Sequence, residues 1–133
     1  MPFAALSSRL EAMTGLTKAL ADEHRLRMLL LLHRQELCAC QIVEAFELAN
    51  STISKHLSIL RQVGLIHSRK EGRWVYYSLP AEPRPEIAST LAWVRELLQA
   101  DETVQADQVR IDAILQIDPV ELCRRQSGKD CCP

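Results

Sequence analysis

Two cysteines one residue apart, Cys38 and Cys40, sit in the run Glu36-Leu37-Cys38-Ala39-Cys40-Gln41 and carry the most specific chemistry in the chain. Thiolates are soft ligands that select thiophilic ions, and a cysteine near a helix N-terminus has its thiolate favoured by the backbone dipole. Three more cysteines, Cys123, Cys131 and Cys132, lie towards the C-terminus. An odd count of five cannot pair completely within one chain, which argues against a disulfide framework. The first twenty residues show no basic stretch followed by an apolar core and a cleavage site. The expectation is therefore a soluble cytoplasmic protein with reduced thiols. The longest aliphatic run, Met28 to Leu32, is far too short to cross a bilayer, so no membrane partner is expected. A small thiol enzyme, such as an arsenate reductase or a disulfide exchanger, would need a Cys-x-x-Cys pair, a glycine-rich phosphate loop or a βαβ unit beside the cysteines. None is present, and neither an enzymatic activity nor an organic cofactor is expected. A structural zinc module would require four ligands at closing spacings, supplied only if the tail folded back.

A second group of chemically useful residues follows closely: Ser51, Thr52, Ser54, Lys55 and His56. Short hydroxyls approach phosphates and base edges, lysine adds charge, and histidine adds a donor or acceptor. The formal net charge of −1 gives no global sign of nucleic-acid binding. Its distribution is more informative. From Asn50 to Pro80, five basic residues (Lys55, Arg61, Arg69, Lys70, Arg73) face one acidic residue, Glu71, a net +4, while the rest of the chain is acidic.

Helical periodicity accounts for the elements that must position both groups. Leu6, Leu10, Met13, Leu16 and Leu20 recur at intervals of three and four, interrupted by Gly15. Asp22 is placed to cap a second helix whose Leu26, Leu29, Leu30 and Leu32 form a thick core stripe. A short helix is expected from about Cys38 to Phe46, then a turn at Ala49-Asn50-Ser51, then a helix to Val63 that buries Ile53, Leu57 and Leu60. Gly64 fits the position past its end. The period then changes from helical to alternating. Residues 66–70 and 73–78 read as a hairpin with Glu71-Gly72 at the turn. After the prolines between Pro80 and Pro85, a long helix through Leu98 and another through Leu115 are expected, and Asp118-Pro119-Val120-Glu121 opens a short last helix carrying Cys123.

Two short helices joined by a tight turn and followed by a basic hairpin make up a winged helix-turn-helix, whose second helix enters the major groove of double-stranded DNA. The fold class expected is mainly α with a small β-hairpin. Residues 1–100 form the DNA-binding and dimerisation domain and residues 101–133 a C-terminal helical extension with a cysteine-containing tail. The residues expected to face DNA are Ser51, Thr52, Ser54, Lys55 and His56 on the helix, with Arg69, Lys70 and Arg73 on the hairpin.

Between Leu16 and Leu79 the chain resembles the ArsR/SmtB family of metal-responsive repressors. The resemblance rests on Ala19 to Arg27, Glu36 to Cys40, Ser54 to Arg61 and Gly72 to Tyr77, in that order. It implies a homodimeric repressor of an arsenic-resistance operon, with terminal helices at the dimer interface and an operator of inverted repeats. Cys38-Ala39-Cys40 is similar to the arsenic-responsive branch, which implies As(III) or Sb(III) as the inducer held by thiolates. That branch often carries a third cysteine where this chain has Val43. A third sulfur would then come from Cys123, Cys131 or Cys132, unless two suffice. A redox or sulfide sensor, whose thiols link to each other and bind no metal, is the alternative regulatory reading.

Spacing also suggests a mechanism. Two residues apart on an ideal helix is about 200° around the axis, so Cys38 and Cys40 would share one ion only if the helix start loosened. Unwinding near residues 38 to 42 would then displace the recognition helix.

Overall fold

The computed structural model describes residues 8–127. Helix α1 spans Arg9–Leu20 and begins at Ser8, whose side chain accepts from the Glu11 amide. Helix α2, Glu23–Arg34, is capped by Asp22, whose carboxylate accepts from the amides of His24 and Arg25. These bonds satisfy donors that have no partner within the helix. Met28, Leu29, Leu31 and Leu32 are each at most 3% exposed, which makes α2 the centre of the core, as its leucine stripe predicts.

The helix-turn-helix follows. Strand β1 is only Leu37–Cys38, and helix α3 is Ala39–Phe46. Glu47 ends α3 in the left-handed region at φ 51. Helix α4, Asn50–Gln62, then buries Ile53, Leu57 and Leu60 as expected. Gly64, at φ 86, turns the chain after α4 into the hairpin of β2 (His67–Glu71) and β3 (Trp74–Ser78). Gly72, at φ 65, takes the first of two turn residues, where a side chain would be strained.

The third strand has no counterpart in the expectations from sequence. β1 pairs antiparallel with β3, Leu37 opposite Tyr77 and Cys38 opposite Tyr76, giving the strand order β1-β3-β2. Helix α5, Pro85–Leu98, starts on Pro85 and buries Ile87, Leu91 and Val94. Helix α6, Glu102–Ile114, is capped by Asp101 and lies on α2. Its principal anchor is Asp107, 7% exposed, which accepts from Arg27 Nε and Nη2 at 2.8 and 2.7 Å. Helix α7, Pro119–Ser127, packs on α3. Ile111, Ile114, Leu122 and Cys123 join the same core as Leu29, Leu57 and Leu65. Among the described residues no helix is long and apolar enough to cross a membrane.

Candidate functional site

Cys38 is not in the helix. It is the N-cap of α3, with extended backbone at φ −74 and ψ 148, and it is simultaneously the last residue of β1. This corrects the expectation of a helix from Cys38 and, with it, the premise that the turn must loosen before both sulfurs can meet. An extended residue ahead of a helix is not bound by the helical 100° step, so its side chain can fold over the first turn. Cys40 Sγ lies 3.3 Å from Cys38 Sγ and donates to it. Both residues are buried, 3% and 5% exposed. Gln41 closes the turn, its Oε1 accepting from the Cys38 amide at 2.8 Å. A glutamine three residues after a cap was visible in the sequence; reading Cys38 as that cap would have found this geometry.

The pair titrates as a unit. The S–H of Cys40, helped by the amides of Cys40 and Ala39, brings the Cys38 thiol down to about 7 against the opposing effect of burial. The same hydrogen bond, with burial and the Cys38 charge, pushes Cys40 up. One sulfur is therefore poised as a thiolate while its neighbour holds the proton. Two adjacent buried sulfurs of this kind suit a soft ion, whose bonds would replace that proton.

Three elements grip this pair. β3 holds Cys38 through the strand pairing with Tyr76. The hairpin is tied again just ahead of β1, where Arg69 on β2 makes a two-bonded contact with Glu36 at 2.9 and 2.8 Å and lies over the Tyr76 ring at 4.4 Å. Hydrogen bonding from Arg69 holds the Glu36 carboxyl below its usual range. From the other side, α7 brings the Pro119 carbonyl 3.8 Å from Cys40 Sγ, and Gln126 Nε2 donates to the Cys40 carbonyl at 2.8 Å and to Glu44 at 3.2 Å. No sequence signal near Cys38 announces either contact.

Cys123 is on α7, 7% exposed and disulfide-bonded, contrary to the expectation that all the thiols are reduced, so it would join the pair only after reduction. Cys131 and Cys132 lie outside the described residues. On the nucleic-acid side, Ser51, Thr52, Ser54 and Lys55 are exposed along α4, and Lys70 and Arg73 are exposed on the hairpin. Arg69 is exposed too, but its charge is shared between Glu36 and Glu71. His56 differs from the other helix positions. Its side chain is only 13% exposed and its Nδ1 meets Arg25 Nη1 at 3.1 Å, so it faces α2 rather than the open side of α4.

The sequence profile described as "Bacterial regulatory protein, arsR family" matches residues 22–68, the stretch from the α2 cap into β2. The chain is 37% identical to the arsenical resistance operon repressor of Escherichia coli, across 87% of this chain and 92% of that protein. It belongs to the ArsR family. A second ArsR-family relative, the arsenic resistance transcriptional regulator ArsR1 of Pseudomonas putida, is 42% identical over 68% of this chain, which spans 65% of that relative. Among solved structures, HlyU from Vibrio cholerae superposes with a TM-score of 0.59 at 31% identity, over 70% of this chain and 98% of that one. The repressor BigR from Xylella fastidiosa, at 21% identity and a TM-score of 0.59, shares the fold. As an ArsR-family member the protein is a transcriptional regulator, which sets aside the thiol-enzyme alternative. Its winged helix-turn-helix is the one expected from the order of its elements.

Proposed function

We propose that this ArsR-family regulator represses an arsenic-resistance operon from the cytoplasm and leaves its operator when As(III) or Sb(III) is captured by Cys38 and Cys40. The observation that carries this reading is the 3.3 Å separation of two buried sulfurs, one poised as a thiolate. The named relatives concerned with arsenic resistance support the same inducer class. An ion entering between the sulfurs removes the S–H to S hydrogen bond and must be accommodated in a packed interior, where space is gained only by moving neighbours. The neighbours are β3 of the wing, the start of α3 and the Pro119 end of α7. The inducer thus acts on an assembled site and shifts the wing and α3 relative to α4, without first unwinding a helix.

An inducer that releases DNA must bind the DNA-incompetent state better, and operator must weaken inducer binding by the same factor. As(III) affinity measured under reducing conditions with and without operator should therefore differ, by roughly 5- to 150-fold for coupling of the usual size. Equal affinities would sink the coupling, and Cd(II) or Zn(II) titrated in parallel would report a different inducer class.

The DNA face we propose is Ser51, Thr52, Ser54 and Lys55 on α4 with Lys70 and Arg73 on the wing, Arg69 contributing only if its carboxylate partners give way. Lys55→Ala and Arg73→Ala should each weaken operator binding and lower the slope of log affinity against log salt by about 1. An unchanged slope in both would place the phosphate contacts elsewhere.

A homodimer is the proposed assembly. Leu10 and Met13 on α1 are 77% and 60% exposed, and Trp93 and Leu97 on α5 are 59% and 67% exposed. Large apolar side chains left this exposed on each of two helices support an interface with a partner. Trp93→Glu combined with Leu97→Glu should convert the sedimenting species to monomer; an unaltered dimer would mean that a different face associates.

A further inference from the structure

Asp22, His24 and His56 bring a carboxylate oxygen and two ring nitrogens within 4.8 Å of one another, on the side of α4 that faces α2 and apart from the cysteine pair. Asp22 Oδ1 lies 3.8 Å from His24 Nδ1 and 4.0 Å from His56 Nε2. The two imidazoles are stacked, with centroids 5.9 Å apart and planes 27° from parallel, and Phe46 meets His24 edge-on. The Asp22 and His24 side chains are 31% and 36% exposed and that of His56 13%, so an ion would be reached from solvent past Asp22 and His24. We propose that these three residues form a second ion site, for a borderline first-row divalent cation such as Zn(II), Ni(II) or Co(II). Imidazole nitrogen with one carboxylate suits those ions, whereas a thiophilic ion would be drawn to the sulfur pair.

The site carries its own competitor. Arg25 spans three elements: its Nε donates to the Ala19 carbonyl at 2.6 Å, its Nη2 to the Lys18 carbonyl at 3.1 Å and its Nη1 to His56 Nδ1 at 3.1 Å. A guanidinium only donates, so His56 Nδ1 accepts and the ring proton sits on Nε2, the atom nearest Asp22. Coordination through Nε2 moves that proton to Nδ1, where it would confront the Arg25 N–H. The ring stays neutral and no net proton is released from it, but Arg25 must let go of His56. The ion therefore exchanges one tie between α2 and the recognition helix for another, and removing Arg25 removes both a hydrogen-bond rival and a positive charge. No cysteine takes part, so the proposal stands or falls independently of the arsenic reading.

Ni(II) titrated calorimetrically into the untagged full-length chain tests this. His24→Ala and His56→Ala should each weaken one binding event by about tenfold or more, since even outer-shell losses cost sites that much. Arg25→Met should tighten the same event. Equal Ni(II) affinity in all four proteins, or weaker binding by Arg25→Met, would overturn the site. If His56→Ala does not fold, the histidine ring signals of the wild-type protein decide by NMR. Those of His24 and His56 should respond together, ahead of His33 and His67; a first response at His33 or His67, or none, would overturn it equally.

Discussion

Cys40→Ser should lose arsenite-triggered release of the operator while keeping wild-type operator affinity. Serine puts a hydroxyl donor where Cys40 has its S–H, so the Cys38 thiolate still forms near neutral pH, but the second soft ligand is gone. Inducer affinity should fall well beyond the roughly 10- to 100-fold that loss of an outer-shell partner costs a metal site. Cys38→Ser should behave the same way towards arsenite. Cys40→Ala separates the two roles of Cys40: without a donor, burial dominates and the Cys38 pKa should rise towards or above that of an ordinary thiol. In the wild type, a folded pKa of about 7 means thiolate present above that pH and lost as pH falls through it. Alkylation of Cys38 by iodoacetamide should therefore slow about tenfold between pH 8 and pH 6, with its midpoint near 7, and the midpoint should move up in Cys40→Ala. Arsenite-triggered release that persists in Cys38→Ser and Cys40→Ser would remove the pair from the inducer site. Release by oxidants alone, reversed by dithiothreitol, would instead favour the thiol-redox alternative.

The largest stability effect is expected at Asp107. Its carboxylate is buried and receives two bonds from Arg27, whose guanidinium carbon also lies 5.0 Å over the Phe46 ring. Asp107→Ala leaves Arg27 without its carboxylate in a partly desolvated setting, and should cost about 3–5 kcal/mol in urea unfolding. Replacing both partners with apolar residues, Arg27→Met with Asp107→Leu, should recover most of that loss, because the penalty belongs to the orphaned charge rather than to the missing bond. Arg34→Ala, by contrast, breaks a pair with Asp112 in which both side chains are exposed, and should change stability by no more than about 1 kcal/mol. A cost below that level at Asp107 would show that the Arg27–Asp107 pair is not what anchors α6. The consequence reaches the cysteine pair as well, because α6 also steadies the helix-turn-helix: Arg110 donates to Glu47, in the turn between α3 and α4, at 2.7 Å.

Much of this molecule is written locally in its residues. The leucine stripe of α2, the Ile53, Leu57 and Leu60 face of α4, Gly64 and Gly72 at their turns, and Pro119 at the start of α7 each declare an element through short-range period or backbone preference. The order of those elements is sufficient to read a winged helix-turn-helix, and the Cys38-Ala39-Cys40 run is sufficient to propose a soft-ion motif. Tertiary structure decided the rest, and each decision joins residues far apart in the chain. Leu37 and Cys38 form too short a strand to show alternation; they are extended because β3, some forty residues later, offers them a partner. That pairing takes Cys38 out of the helix and lets its sulfur meet Cys40. The contact between Arg27 and Asp107 and that between Cys40 and Gln126 span 80 and 86 residues, and no local pattern encodes either. His56 sits on α4 where its spacing places it, yet the direction of its ring depends on Arg25 arriving from α2. Periodicity determines which face of an element is apolar; which polar groups meet across the core is settled only when the elements pack.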